Sequence, residues 1–351
     1  MQRTCLVTGG AGFIGCALSP SLAEEFDDVV VLDNLHPQVH AQASRPAGLD
    51  PRVDLVEGDV TDERVWDRLL AEVRPSTVIH LAAETGTAQS LTEASRHASV
   101  NVLGTTRMLD AFTRTSALPE RILLTSSRAV YGEGSWQDAA GEVCYPGQRS
   151  HRMLQSGIYD FPGLQPLPAV AADVRPDPTS VYGATKLAQE NIIRAWALSV
   201  DVTPVVLRLQ NVYGPGQSLT NPYTGIVSLF ARLARAGSAI PVFEDGQITR
   251  DFVYIDDVVE AIRLGATAGS PGSTPYDIGR GRATTVSGLA QTIAQHYGAP
   301  APVVTGQFRD GDVRHASCRT EAAAADLGWR PSVSLEEGIR RLCTWIDERA
   351  A

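Results

Sequence analysis

The sequence predicts an α/β protein, a doubly wound parallel sheet followed by a smaller mixed α/β lobe. Three observations carry this. An apolar run, a glycine turn and a helix-like segment succeed one another from Cys5 to Glu25; apolar runs and helix-like segments then alternate as far as Thr125; and beyond Asn211 the elements become shorter and mixed in order. Alternation of that kind is the pattern of a parallel sheet covered on both faces. The 351 residues carry 43% hydrophobic and 20% charged side chains, an ordinary globular balance with room for a large core.

The opening stretch, TGGAGFIG from Thr8 to Gly15, follows the apolar run Cys5-Leu6-Val7 and precedes a helix from Phe13 to about Glu25. Glycines at 9, 12 and 15 suit a sharp turn, the approach of a pyrophosphate to the peptide, and tight packing of helix on sheet. The N–H groups at the start of that helix, where Phe13 and Ile14 stand, suit a phosphate. By itself the GxxGxxG spacing is also met in ordinary structural turns. The next run, Val29 to Leu32, suits a buried parallel strand and ends at Asp33 and Asn34. Asp33 falls where an acid meets an adenosine ribose, which favours NAD and repels the additional phosphate of NADP. The first half therefore reads as a Rossmann-type dinucleotide-binding unit.

A strand over Val53 to Val56, a helix over Asp62 to Val73 and a strand over Thr77 to His80 continue the alternation. Asp59 and Val60, and the small residues of Leu81-Ala82-Ala83, fall at strand ends on the ligand-binding edge. Asp59 equally suits a cap ahead of the helix. A long helix is expected over Ser90 to Arg114, containing Asn101, then a strand from Arg121 to Thr125 running into Ser126 and Ser127. Residues 133–178 hold six prolines and little periodicity, so they are expected to run over the surface as a functional cover. A helix from Tyr182 to about Ser199 and a strand over Val205 to Leu209 restore the order. Beyond them come a helix near Gly225 to Arg235, strands at Pro241 to Phe243 and Phe252 to Tyr254, and helices from Asp256, over Val286 to Tyr297 and over Leu335 to Arg349. No linker divides the chain. Two interlocked lobes are expected, 1–180 for the dinucleotide and 181–351 for the catalytic helix, the last core strands and the substrate.

A net charge of −10 argues against nucleic acid as a main partner. The five scattered cysteines form no CxxC pair and the histidines show no ligand spacing, so no metal site and a reducing compartment are expected. His80, at a strand end, reads as packed. No apolar run approaches the roughly 18 residues of a membrane span, and the chain enters its first strand at once, so a soluble cytoplasmic protein is expected. Tyr182 and Lys186 stand at i and i+4 of one helix face. An ammonium beside a phenol favours the phenolate and makes it a usable base, and Ser127 offers a hydroxyl past a strand end.

TGGAGFIG, Asp33, HLAA (His80 to Ala83), SSRAVYG (Ser126 to Gly132), YGATK (Tyr182 to Lys186) and RDFVYIDDV (Arg250 to Val258) together resemble the extended short-chain dehydrogenase/reductase superfamily, in its NAD-dependent nucleotide-sugar epimerase/dehydratase family. The likeness runs from about Thr4 to Trp345. It implies tightly held NAD, a nucleoside-diphosphate sugar substrate, and a catalytic group of Ser127, Tyr182 and Lys186. For the cofactor it implies contacts from Gly9, Gly12, Phe13, Ile14, Asp33 and Asn34, from Asp59, Val60, Leu81, Ala82 and Ala83, and from Asn101, Thr125, Tyr182 and Lys186. For the substrate it implies Thr85, Ser127 and Asn211, with Arg250 and Arg309 on the diphosphate and Thr224 and Phe243 around the base. Leu209 and Gln210 replace the family's usual aromatic pair. Each arginine also suits a surface salt bridge, and Phe243 also suits the core.

Dehydratases of that family place Asp-Glu directly after the catalytic Ser or Thr; here Arg128 and Ala129 hold those places, and neither transfers a proton as a carboxyl group does. Inversion at C4 of a dTDP- or UDP-linked hexose through a transient 4-keto sugar is therefore the expected reaction. The alternatives are a 4-ketoreductase or dehydrogenase of the same family, which Asp33 opposes, and a non-catalytic NAD-binding protein. The YGEG after the serine, the Pro-rich insertion and the DNLHPQVHA segment (Asp33 to Ala41) are most similar to bacterial dTDP-rhamnose-type 4-epimerases, which points to a dTDP-6-deoxyhexose. The resemblance also implies a homodimer built on a four-helix bundle, one of whose helices carries YxxxK.

Overall fold

A computed structural model describes residues 3–40, 42–219, 225–267 and 274–350. The apolar runs form one seven-stranded parallel sheet of β1 (Thr4–Thr8), β2 (Asp28–Asp33), β3 (Asp54–Glu57), β4 (Thr77–His80), β5 (Arg121–Ser127), β6 (Thr203–Leu209) and β7 (Tyr276–Ile278). Their spatial order is β7-β6-β5-β4-β1-β2-β3. The chain starts beside the middle, winds to the β3 edge, and returns on the other side of β1. Val7 faces Val31 on β2 and Ile79 on β4. The reversal between β1 and β4 opens a crevice at their carboxyl ends, where open α/β sheets bind ligands.

Side chains alternate across the pleat, so each strand feeds two cores. Cys5, Val7, Val31, Ile79, Leu123 and Leu207 pack on one face with residues of α1 (Phe13–Glu25) and of a later helix over Ile255–Thr267. Leu6, Val30, Leu32, Val78, Ile122 and Val206 pack on the other with α2 (Glu63–Glu72), α3 (Gly104–Arg114) and α4 (Val181–Val200). A third core joins α5 (Ile226–Arg235), α7 (Val286–Tyr297) and α8 (Leu335–Ala350) around Tyr213, Phe252 and Tyr254; α6 is the Ile255–Thr267 helix. Because α6 and β7 come from the C-terminal half yet complete the N-terminal sheet, the two halves interlock.

One expectation is corrected and a second is refined. The segment 90–114 is not one helix. It breaks at Glu93 into short turns over Gln89–Thr92 and Ala94–His97, then a π-helical stretch over Ala98–Leu103 before α3. The wider turn holds Asn101 fully buried, where its amide serves the neighbouring backbone. Residues 133–178 are mostly exposed or half-buried, as expected of a surface excursion, but they are not without structure. They form a small antiparallel sheet of Trp136–Gln137, Val143–Cys144 and Gln165–Pro166 and a short helix, His151–Gln155. Trp136 is fully buried, with Phe161 edge-on at 4.9 Å. Arg149 is buried between Glu133, at 3.2 Å, and Glu244, at 2.8 Å. Charges so deep are held only where partners satisfy them, and one of these partners, Glu244, lies in the C-terminal lobe.

Candidate active site

A cleft of about 490 Å³ lies at the carboxyl ends of the central strands. Its first wall is the glycine turn. Gly9 has φ +68°, and a Cβ there would sit 2.6 Å from the Ala82 nitrogen; one on Gly15 would sit 2.3 Å from the Gly10 oxygen. These approaches bring the end of β1 onto β4 and seat α1 on the turn. No side chain caps α1, so the amides at its start face the cleft uncovered, beside Gly12, Phe13 and Ile14. Leu81, Ala82 and Ala83 form the floor, and Thr125 lines the cleft from β5.

At the end of β2 the Asp33 carboxylate accepts from the amides of Ala11, at 3.0 Å, and Leu35, at 2.9 Å. Each oxygen keeps a second lone pair for a ribose hydroxyl. Asn34 and Val60 line the cleft, whereas Asp59 stands behind them, bonded to Asn34 and Thr61. Burial raises the Asp59 carboxyl, but hydrogen bonds from Thr61 and Asn34 outweigh it and hold the group below its usual range. Gln38 and Gln89 exchange amide hydrogen bonds of 2.9 and 3.0 Å, fastening the segment after β2 across this end. An uncapped helix start, a glycine turn and an acid ending β2 fit the pyrophosphate and adenosine ribose of NAD.

Catalytic candidates converge on the other end. Ser127 ends β5 and its Oγ accepts from the Ala129 amide at 3.2 Å; Ser180 caps α4 through the Gly183 amide at 3.0 Å. Ser127 and Tyr182 line the cleft, and Lys186 lies one turn behind, 2% exposed. Burial raises the Tyr182 phenol, while the Ser127 hydroxyl and the Arg128 guanidinium draw it down. Arg128 thus adds a cation beside the phenol that the spacing of Tyr182 and Lys186 does not announce. Burial drives Lys186 itself to about 7, against the pull of Glu190.

Beneath them lies a lattice of buried polar groups. Glu190 accepts from Arg208 at 2.7 and 3.0 Å and from the Ser126 hydroxyl, and Tyr131 donates to Asp277 at 2.8 Å. Burial pushes the Asp277 carboxyl up to about 7. Asn101 lies behind the wall instead of lining it: its Oδ1 accepts from the Glu84 amide, and its Nδ2 donates to the Glu84 carbonyl and to Thr185 of α4. That fixes the loop carrying Thr85, which does line the cleft.

Of the residues expected around the substrate, Asn211 lines the cleft and its Oδ1 accepts from Arg128 Nε at 3.1 Å. Arg250 is 8% exposed and donates to the Thr249 carbonyl; among the described residues no carboxylate lies within ion-pair distance of it. Arg309 lies 5.0 Å over the Phe243 ring, and this pair is outside the cleft lining. Thr224 falls outside the described residues. Sequence reasoning missed the parts played by Glu190 and Arg128. Glu190 had a signal, since it follows Lys186 by four residues on the same helix face. The reach of Arg128 to Asn211, 83 residues away, had none.

Fold and cleft together define a dinucleotide-binding enzyme with a serine, tyrosine and lysine at the reacting end. The family model described as "NAD dependent epimerase/dehydratase family" matches residues 5–151 and 156–279, and the chain belongs to that family, with NAD as its cofactor. It is 59% identical over 344 residues to a dTDP-L-rhamnose 4-epimerase of Burkholderia thailandensis, covering 98% of this chain and 95% of that one. Among solved structures, it is similar to a UDP-glucose 4-epimerase of Thermotoga maritima with UDP-glucose, at a TM-score of 0.82, 29% identity and coverage of 99% and 100%. A UDP-glucose 4-epimerase of Thermus thermophilus in complex with NAD gives 0.76 at 28% identity, covering 98% and 99%.

Proposed function

We propose that the chain is an NAD-dependent isomerase that inverts C4 of a nucleoside-diphosphate hexose, with a dTDP-linked 6-deoxyhexose as substrate. The observation that carries this is the pair Arg128 and Ala129 directly after Ser127, at the reacting end of the cleft, where elimination would need carboxyl groups. Likeness to the Burkholderia enzyme supports the choice of base and sugar.

In this reading Tyr182 takes the proton of the C4 hydroxyl and Ser127 holds that oxygen by hydrogen bonding. NAD supplies the oxidising and then the reducing equivalent at that carbon. Lys186, drawn toward its charged form by Glu190, orients the ribose beside Tyr182. Asn211 and Arg250 keep the diphosphate in place while the 4-keto sugar turns about its link to phosphate, so the same Tyr182 serves either face. The resemblance assigns Arg309 and Phe243, stacked outside the cleft lining, to the nucleotide end.

The test starts from dTDP-rhamnose and, separately, from its C4 epimer, with UDP-glucose and UDP-galactose in parallel. Both dTDP-sugars should converge on one equilibrium mixture, and Tyr182→Phe should lower kcat by about 10²- to 10⁴-fold with NAD retained. Loss of water, net oxidation of sugar or no exchange in either direction would refute the assignment. A cytoplasmic homodimer completes the proposal. The five cysteines are unpaired, and among the described residues no helix is long and apolar enough to cross a membrane.

A further inference from the structure

Two guanidinium groups near the reacting end have no carboxylate within ion-pair distance among the described residues. Arg250 gives one nitrogen to the Thr249 carbonyl. Arg128 gives its Nε to Asn211 and directs no other hydrogen bond to a described residue. Burial and the Arg250 charge together lower Arg128 to about 9, with Asp312, Tyr182 and Glu133 opposing. A cleft-lining guanidinium that bonds only through Nε among the described residues offers its terminal nitrogens to an anion. The cleft-lining Arg128 follows Ser127 in the chain and stands beside Tyr182, so it belongs to the end where the sugar reacts.

We propose that Arg128 is a substrate-binding residue that clasps the sugar-linked phosphate of the diphosphate, its Nε fixed by Asn211 and its two terminal nitrogens presented to the anion. This rests on the nucleotide-sugar reading of the cleft. A planar guanidinium anchored at Nε keeps its other edge free, which matches two phosphate oxygens in a way an ammonium cannot. The position thus exchanges a group that would move protons for one that holds the pivot about which the keto sugar turns.

The holoenzyme of Arg128→Gln is titrated calorimetrically with dTDP and with dTMP, after its NAD content and melting temperature are compared with wild type. Loss of a charge-assisted clasp should weaken dTDP by about 10- to 100-fold while leaving dTMP within about threefold. An unchanged affinity for dTDP, or an equal loss for dTMP, overturns the proposal. If Arg128→Gln does not hold NAD, Arg128→Lys decides. It keeps the charge without the fork and should bind dTDP severalfold more weakly with dTMP unchanged, and wild-type affinity for dTDP would overturn the proposal. Wild-type enzyme that binds neither dTDP nor UDP refutes the reading of the cleft itself, and the clasp with it.

Discussion

His80 shows how one side chain can tie together the helix that carries Tyr182 and Lys186 and the strands before it. It is fully buried at the end of β4, with Nδ1 2.6 Å from Thr8 Oγ1 on β1 and Nε2 2.9 Å from Thr105 Oγ1 on α3 and 3.2 Å from Gln189 Nε2 on α4. Burial pushes the imidazole down to about 3, and the nearby Lys186 adds to the shift. Because the folded value lies below that of the unfolded chain, the unfolded chain binds more protons between the two. Stability from this group is complete above about pH 6.5 and falls as pH is lowered toward 3, by about 1.4 kcal/mol per unit. Asp277, pushed up to about 7, acts in the opposite sense, since its folded carboxyl binds the proton more readily. A comparison with His80→Gln isolates the imidazole. Between pH 6.5 and 5, urea unfolding should show wild type losing about 2 kcal/mol relative to the variant. A difference independent of pH would mean that the ring is already charged in the folded protein.

At the scale of elements, the segment 133–178 is held as a wedge by charge. Arg149 bonds Glu133 and Glu244, Glu133 accepts from the Arg314 amide at 2.9 Å, and Arg314 reaches Glu244 at 3.0 Å and Asp245 at 2.7 Å. Arg149, Arg314, Glu244 and Glu133 are each nearly inaccessible. Burial raises the Glu133 carboxyl, and Arg149 and the Arg314 amide oppose the rise. Removing one partner leaves charge uncompensated inside the protein, so Arg149→Met should cost about 3–5 kcal/mol in denaturant unfolding. A loss below about 1 kcal/mol would show that water reaches the lattice and that the wedge is loosely attached. Nothing local announces this arrangement. Arg149 and Glu244 are 95 residues apart, Glu133 and Arg314 181 apart, and the prolines between 146 and 178 read as loop because the partners that pin them belong to another lobe.

For the whole molecule, what could be read from sequence is what neighbours in the chain determine. The glycine turn, Asp33 and the strands up to Ser127 declare themselves through runs and spacings of a few residues, and Tyr182 with Lys186 through a single helix turn. β7 escaped because three residues, Tyr276–Ile278, are too few to show a period; it exists by pairing with β6, Tyr276 beside Leu207. The resemblance implies a cofactor role for Asn101, and its bonds to Glu84 and Thr185, set by the π-helical stretch, are not legible in the sequence. The outer face of α4 extends the same reasoning beyond one chain. Ala184, Asn191, Ala195 and Leu198 are exposed at helical spacing, with Ala188 half-buried among them. Leu198 is 77% exposed, and Leu103, before α3, is 43% exposed. An apolar stripe with small residues lets a second helix approach closely, and with α3 beside it the surface suits a four-helix contact with another copy. The proposed homodimer should therefore give twice the 37.5 kDa chain mass in light scattering. Leu198→Glu combined with Ala195→Arg should return it to the single-chain mass with NAD still bound. A wild-type protein of single-chain mass at micromolar concentration, or a doubly substituted one still at twice that mass, would place any interface elsewhere or remove it.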